Sequence, residues 1–288
     1  MEVADYIQFH RQLGKRVLVI DGIPFSEYRK SFFWSLPRFR PYTTTGNMLN
    51  LSLLAQGALG AITMTTSSDA TLKAAFCICR ASNFDLPYLQ PRTRTKVRRG
   101  LEHCEVRIVD WGEMKERGLA INRDALARQK RPSVGLGNEN WWARQCDVSA
   151  KFEDIKAWGA YINGELTSYV HVVFHDYVDL TGSKTRVADI IHFMSDSRYL
   201  NHYPNEALIF SVTKELLSSE GCAFVVLGAG SDDPNLLRWK RHMGYSIESC
   251  PYLLYASPLL QVIKHFSPKL RLWMEGTMLK SDYVRQEQ

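Results

Sequence analysis

No stretch of this chain is apolar for long enough to cross a bilayer. The nearest, Met48 to Met64, is interrupted by Asn50, Ser52 and Gln56 and stops short of the ~20 apolar residues that a spanning helix needs. The first sixteen residues mix charges into what would be the apolar core of a secretory signal, so no signal is expected there. Cysteine is sparse and scattered, with 6 in 288 residues and no CxxC pair. Cys77 and Cys79 form a lone CxC inside a β-like FCIC run, which argues against a zinc site and reads as small core residues of a reducing compartment. The Gly-x-Ser-x-Gly elbow of serine hydrolases is absent, as are tandem repeats and low-complexity tracts. Together these absences predict a soluble, cytoplasmic protein.

The residues that are present suffice for a sizeable core: 45% are hydrophobic and 23% charged, which excludes wholesale disorder. The formal net charge of +6 suits a phosphate-rich partner, whether RNA, a nucleotide-linked substrate or a coenzyme, as it suits many ordinary enzymes. Strands are predicted at 16–20, 60–65 and 74–79, with an aromatic stretch from Phe32 to Tyr42 left unassigned. A basic helix within 91–103 is followed by a strand at 105–109 and a helix near 113–130. A polar linker from Pro132 to Asn140 then opens onto Trp141-Trp142. In that basic helix Val97 and Leu101 share one face and Arg94 and Arg98 another. Asn163-Gly164 between two β-rich runs predicts a two-residue hairpin turn, because both central positions need positive φ. A strand at 187–194, a helix from Pro204 to Ser219, a strand at 223–227, a helix opened by Asp233-Pro234 and a strand at 252–255 follow. The tail after Pro258 is expected to be helical.

The order of elements from residue 113 onward resembles the GNAT acyltransferase unit. Three segments make the chain similar to the Fem-type, aminoacyl-tRNA-using branch: RTRTKVRRGLEHCEVRIV, HYPNEALIFSVTKELLSSEG, and LLRWKRHMGYSI with its aromatic-Lys pair before Gly-aromatic. The resemblance implies an α/β fold, a mixed sheet flanked by helices, in two GNAT-like halves. Residues 1–90 would be a degenerate first half and 91–288 the acyltransferase half. It also implies transfer of an aminoacyl or acyl group to an amine of a small-molecule, peptide or cell-wall-type acceptor. No permanently bound cofactor or metal is implied, and aminoacyl-tRNA would serve as co-substrate. Acyl-CoA is the alternative donor, and a non-catalytic RNA-binding or scaffold protein is the alternative of another class. One departure bears on the donor. The loop that in acyl-CoA-using relatives cradles a pyrophosphate is here Ser197 to Asn205 and has no glycine, so a Cβ at every position restricts close backbone approach.

Aminolysis of an activated ester needs a proton acceptor for the amine, a group to hold the oxyanion, and a grip on the donor. By resemblance Lys240 takes the oxyanion or donor-phosphate role, where a solvated helix lysine is the plainer reading. Trp239 beside it suits stacking on a terminal adenine, or core packing. Asp189 and His192 lie three apart on a predicted strand, hence on opposite faces, so only one is expected to enter a cleft. His192 suits proton acceptance near neutrality. Asp196, Tyr199, His202 and Asn205 follow where the donor site opens. Among Arg92, Arg94, Lys96, Arg98 and Arg99, the resemblance favours Arg98 and Arg99 for phosphate, with Arg94 on the same face as Arg98. His171 and His175 share a strand face without a third ligand in register and are read as structural.

Overall fold

The computed structural model describes residues 1–43, 48–66, 70, 72–130, 135–178, 183–230 and 233–259. The tail after residue 259 and part of the 132–140 linker lie outside them. The chain opens with α1 (Val3–Gln12), β1 (Val17–Ile20), β2 (Ile23–Arg29), β3 (Phe32–Ser35), α2 (Met48–Ala55), β4 (Gly60–Met64) and β5 (Leu72–Cys79). It continues with α3 (Pro91–His103), β6 (Glu105–Ile108), α4 (Trp111–Arg128), α5 (Glu139–Ser149), β7 (Ile155–Ile162) and β8 (Glu165–Val178). It closes with β9 (Lys184–Ser195), α6 (Pro204–Ser218), β10 (Phe224–Ala229), α7 (Pro234–His242) and β11 (Ser246–Ala256).

Local chemistry sets most of these boundaries. Pro91, Pro204 and Pro234 sit in the first turns of their helices, where a missing N–H costs nothing. Asp110, Asn138 and Asp233 cap α4, α5 and α7, each side chain accepting a first-turn N–H. Asn163 and Gly164 take φ of 52° and 78°, the positive values that a two-residue turn between β7 and β8 demands.

The strands form one mixed sheet in the order β1-β2-β3-β4-β11-β5-β10-β9-β8-β7-β6. Strand β11, from the end of the chain, runs between β4 and β5, so the sheet is continuous across residue 90. Pairing is antiparallel except for β3 with β4 and β9 with β10. Strand β8 is buried on both faces over most of its length. Val170, Val172 and Phe174 pack with Val97 of α3 and Leu208 and Val212 of α6, while Tyr169 faces Met114 and Trp142 of α4 and α5. The period of two along β8 thus separates one helical layer from the other.

One expectation needs correction, and one segment gains an assignment. Leu101 does not share the burial of Val97; it is exposed, and Gly100 instead meets α6. The segment opening onto Trp141-Trp142 is α5, a helix. Among the described residues no helix is long and apolar enough to cross a membrane.

Candidate active site

Strands β9 and β10 run parallel for three residue pairs, ending at Val226↔Asp189, although β9 continues to Ser195 and β10 to Ala229. Beyond that last pair the two strands part. A bulge marks each strand near the fork. In β9 the partners of His171 and Val172 are His192 and Ile190, so Ile191 is an extra residue. In β10 the register against β5 shifts between Val226 and Ala229, and Gly228 takes φ +65°, a value that favours glycine.

The bulge at Ile191 overturns the parity expected for this strand. Asp189 pairs with Val173 and His192 with His171, two residues on the same face of β8. Asp189 and His192 therefore line one cavity of about 420 Å³, together with Tyr6, His10, Lys15, Trp34, Arg38, Trp141, Gly228 and Ala229. Helices α1 and α5 and the segment after β3 close it over the sheet.

Asp189 is the distinctive group of this cavity. No hydrogen bond from a described residue reaches its carboxylate, and burial pushes its pKa up to about 7 against a smaller opposing pull from Arg38. The Tyr6 phenol beside it is raised by burial and by the Asp189 charge. His10 is held well below its usual range by burial and by the charges of Lys15, Arg38 and His175, and its Nδ1 sits 3.0 Å from Ser26 Oγ. His192 lies between Trp141, 6.5 Å away edge-on, and His171 at 5.5 Å. His171 and His175 are buried and strongly disfavoured as cations, His175 with a pKa lowered to about 3. No group of three or more metal-ligating side chains occurs among the described residues.

The remaining predicted site residues sit elsewhere around the fork. Lys240 is buried behind β10, where its Nζ donates to Leu227 O at 2.7 Å and Ala229 O at 3.0 Å, with the Cys77 thiol close by. Burial lowers its pKa. Two of its three N–H bonds thus fasten the bulged end of β10 that forms the cavity wall. Trp239 stacks on Phe193 at 5.6 Å and donates to Glu206 at 3.3 Å.

Asp196 caps the 3₁₀ turn Ser197–His202, accepting from Arg198 N–H, and its carboxylate also holds the Arg198 guanidinium at 2.7 Å. That pairing keeps its pKa low. The N–H of Ser197 goes to Asp124 at 2.7 Å, Arg198 reaches Glu165 at 3.0 Å, and Tyr199 donates to Glu165 at 2.5 Å. His202 meets His103 edge-on at 5.1 Å, and the Asn205 Oδ1 is buried without a partner. Arg94 spends its guanidinium on Leu89 O at 3.1 Å and, more weakly, on Pro87 O, whereas Arg98 and Arg99 are exposed on α3.

The structure thus brings Asp189 and His192 together and leaves Lys240, Trp239, Asp196, Tyr199, His202, Asn205 and the three arginines outside the cavity lining. It adds Tyr6, His10, Lys15, Trp34, Arg38 and Trp141, which the sequence did not mark. Trp34 and Arg38 lie in the aromatic stretch left unassigned and Trp141 in the Trp pair after the linker, whereas Tyr6, His10 and Lys15 carried no signal.

No family model matches this sequence, and no curated protein matches it. Solved structures match in fold. Over 90% of this chain and 92% of the other it is similar to FemX, with a TM-score of 0.61 at 11% identity. Over 89% of each chain it is similar to the C-terminal domain of a lysylphosphatidylglycerol synthetase from Agrobacterium fabrum, with a TM-score of 0.58 at 11% identity. The chain thus shares its mixed α/β fold with FemX and with that synthetase domain.

Proposed function

We propose that this chain transfers an aminoacyl or acyl group from an activated ester to a primary amine, with the amine bound in the fork cavity. The observation that carries this reading is the placement of a half-buried carboxyl, Asp189, in the cavity lining at the point where β9 and β10 part, with its pKa raised by burial. A carboxyl with a pKa near 7 takes a proton from an ammonium group far more readily than an ordinary aspartate does. The freed amine attacks the ester carbonyl, the tetrahedral oxyanion collapses, the alcohol leaves and an amide remains. Backbone N–H groups along the parted strands serve as oxyanion donors in this reading. Asp189 is the proton acceptor and His192 its neighbour on the same wall. Lys240 acts as a positioning residue through Leu227 and Ala229. Residues 1–90 form a degenerate first half that lends α1 and the segment after β3 to the acceptor wall, and 91–288 hold the fork.

Aminoacyl-tRNA is the donor we favour over acyl-CoA. The turn where a pyrophosphate would dock has its N–H groups at 197 and 198 taken by Asp124 and Asp196, and Glu165 adds a third carboxylate. An anion would find both of those donors already taken. Arg98 and Arg99, exposed on the neighbouring helix, suit contacts with a phosphate backbone.

The test is transfer of a radiolabelled amino acid from charged tRNA to a pool of amines, run beside acetyl-CoA and with Asp189→Asn as control. Label in amide products from tRNA, lost in Asp189→Asn, supports the reading. Acetyl transfer without tRNA-dependent transfer overturns the donor. Salt-dependent tRNA binding without turnover points to the scaffold alternative.

A further inference from the structure

The cavity carries a charge imbalance that its own residues do not correct. Lys15, just after α1, and Arg38, after β3, both line it. Neither is paired with a carboxylate among the described residues, and the Arg38 guanidinium lies over the Trp34 ring, 4.7 Å from its centroid. The two cations are close enough to oppose one another: Lys15 falls to about 8, mostly through burial and further through the Arg38 charge. His10 adds no third positive charge, because burial and the same cations keep its ring neutral. Like charges set together beside a partly enclosed cavity cost free energy unless something negative joins them.

Asp189 offsets them only in part: the Arg38 charge is felt at its carboxyl, but no hydrogen bond from either cation reaches it, and it is one carboxyl against two cations. The cavity lining therefore holds a carboxyl at the fork and two cations, Lys15 and Arg38, from the elements over the sheet. Its volume of about 420 Å³ falls within the range of small-molecule sites.

Resting on the reading of this cavity as the acceptor site, we propose that the acceptor carries its own anion. It is an amino acid or an amino phosphate whose ammonium group meets Asp189 while its carboxylate or phosphate lies between Lys15 and Arg38. A simple alkylamine leaves the cations unmatched, and a diamine adds positive charge to them.

Calorimetric titration of the full chain tests this with three sets of probes: the standard amino acids, their carboxamides, and O-phosphoethanolamine with ethylamine as its anion-free control. At least one amino acid or the phosphate compound should bind, and removing the anion should weaken binding tenfold or more. In Arg38→Gln that preference should shrink to less than threefold, and Lys15→Gln provides a second variant if Arg38→Gln fails to fold. Tighter binding of phosphoethanolamine than of any amino acid identifies a dianionic headgroup, and the reverse order identifies a carboxylate. Equal binding of acids and amides overturns the proposal, as does a panel in which nothing binds. Transfer to ethylamine as fast as to any anionic amine also overturns it while leaving the transferase reading intact. Anion-dependent binding with no transfer from any donor would support the ligand chemistry and sink the transferase reading instead.

Discussion

Two aspartates seven residues apart on the same stretch of chain are treated in opposite ways. Asp196, at the end of β9, accepts a backbone N–H, grips Arg198 and has its pKa lowered. Asp189, inside β9, has no hydrogen bond from the described residues, and its pKa is raised to about 7. The first arrangement stabilises the fold and occupies donors that a ligand would otherwise use. The second costs stability and leaves a reactive group open to a cavity. The bulge at Ile191 is what turns Asp189 toward the same cavity as His192.

The comparison breaks most visibly if Asp189 is neutralised. Asp189→Asn should lower transfer by about 10²- to 10⁴-fold, the usual contribution of a positioned general base. The parent rate should rise with pH through about 7, where Asp189 loses its proton, and the variant should lose that limb.

Stability should move the other way. A folded pKa of about 7 against an ordinary 3.8 means that the folded state holds the proton more tightly. Between roughly pH 4 and 7 the parent should therefore lose stability as pH rises, on the order of 4 kcal/mol from this group. Asp189→Asn should remove that slope and melt above the parent at pH 8, as read by calorimetry across pH.

Smaller effects sharpen the contrast at the other end. A Cβ at Gly100 would stand 2.5 Å from the Tyr203 carbonyl oxygen and 3.0 Å from the Ala207 Cβ, so Gly100→Ala should push α3 off the start of α6. The expected cost is about 1–3 kcal/mol, or a few degrees in Tm. Asp196→Ala should cost about 1 kcal/mol, the usual loss for a helix cap, at neutral pH. The cost should fade in strong acid, because a lowered folded pKa places the parent's loss of this stabilisation below the ordinary carboxylate range. Arg98→Glu and Arg99→Glu should leave Tm unchanged and each reduce the salt slope of tRNA binding by about one.

Much of the framework was legible in the chain. Proline in first turns, acid caps and Asn163-Gly164 act locally and announce themselves in sequence. Lys156 to Ile162 and Glu165 to Phe174 likewise read correctly as a hairpin. Apart from β1, the first 60 residues did not, because β2 and β3 depend on pairing beyond the local sequence, and β11 enters between β4 and β5 from far along the chain. The site was half legible. Asp189 and His192 stood out as chemistry on a strand, but an extra residue in a ladder has no composition of its own, and only the pairing with β8 shows that both face one way. Lys15 and Arg38 look like surface cations in sequence. Their meaning comes from a cavity assembled by elements 150 residues apart.

The most direct measurement is a ¹³C NMR titration of the aspartate carboxyls, comparing the parent with Asp189→Asn. The account predicts one carboxyl that changes protonation near pH 7 in the parent and is missing from the variant. If every aspartate of the parent titrates below about pH 5, the carboxyl at the fork is an ordinary solvated acid, and the proton-accepting role assigned to it falls.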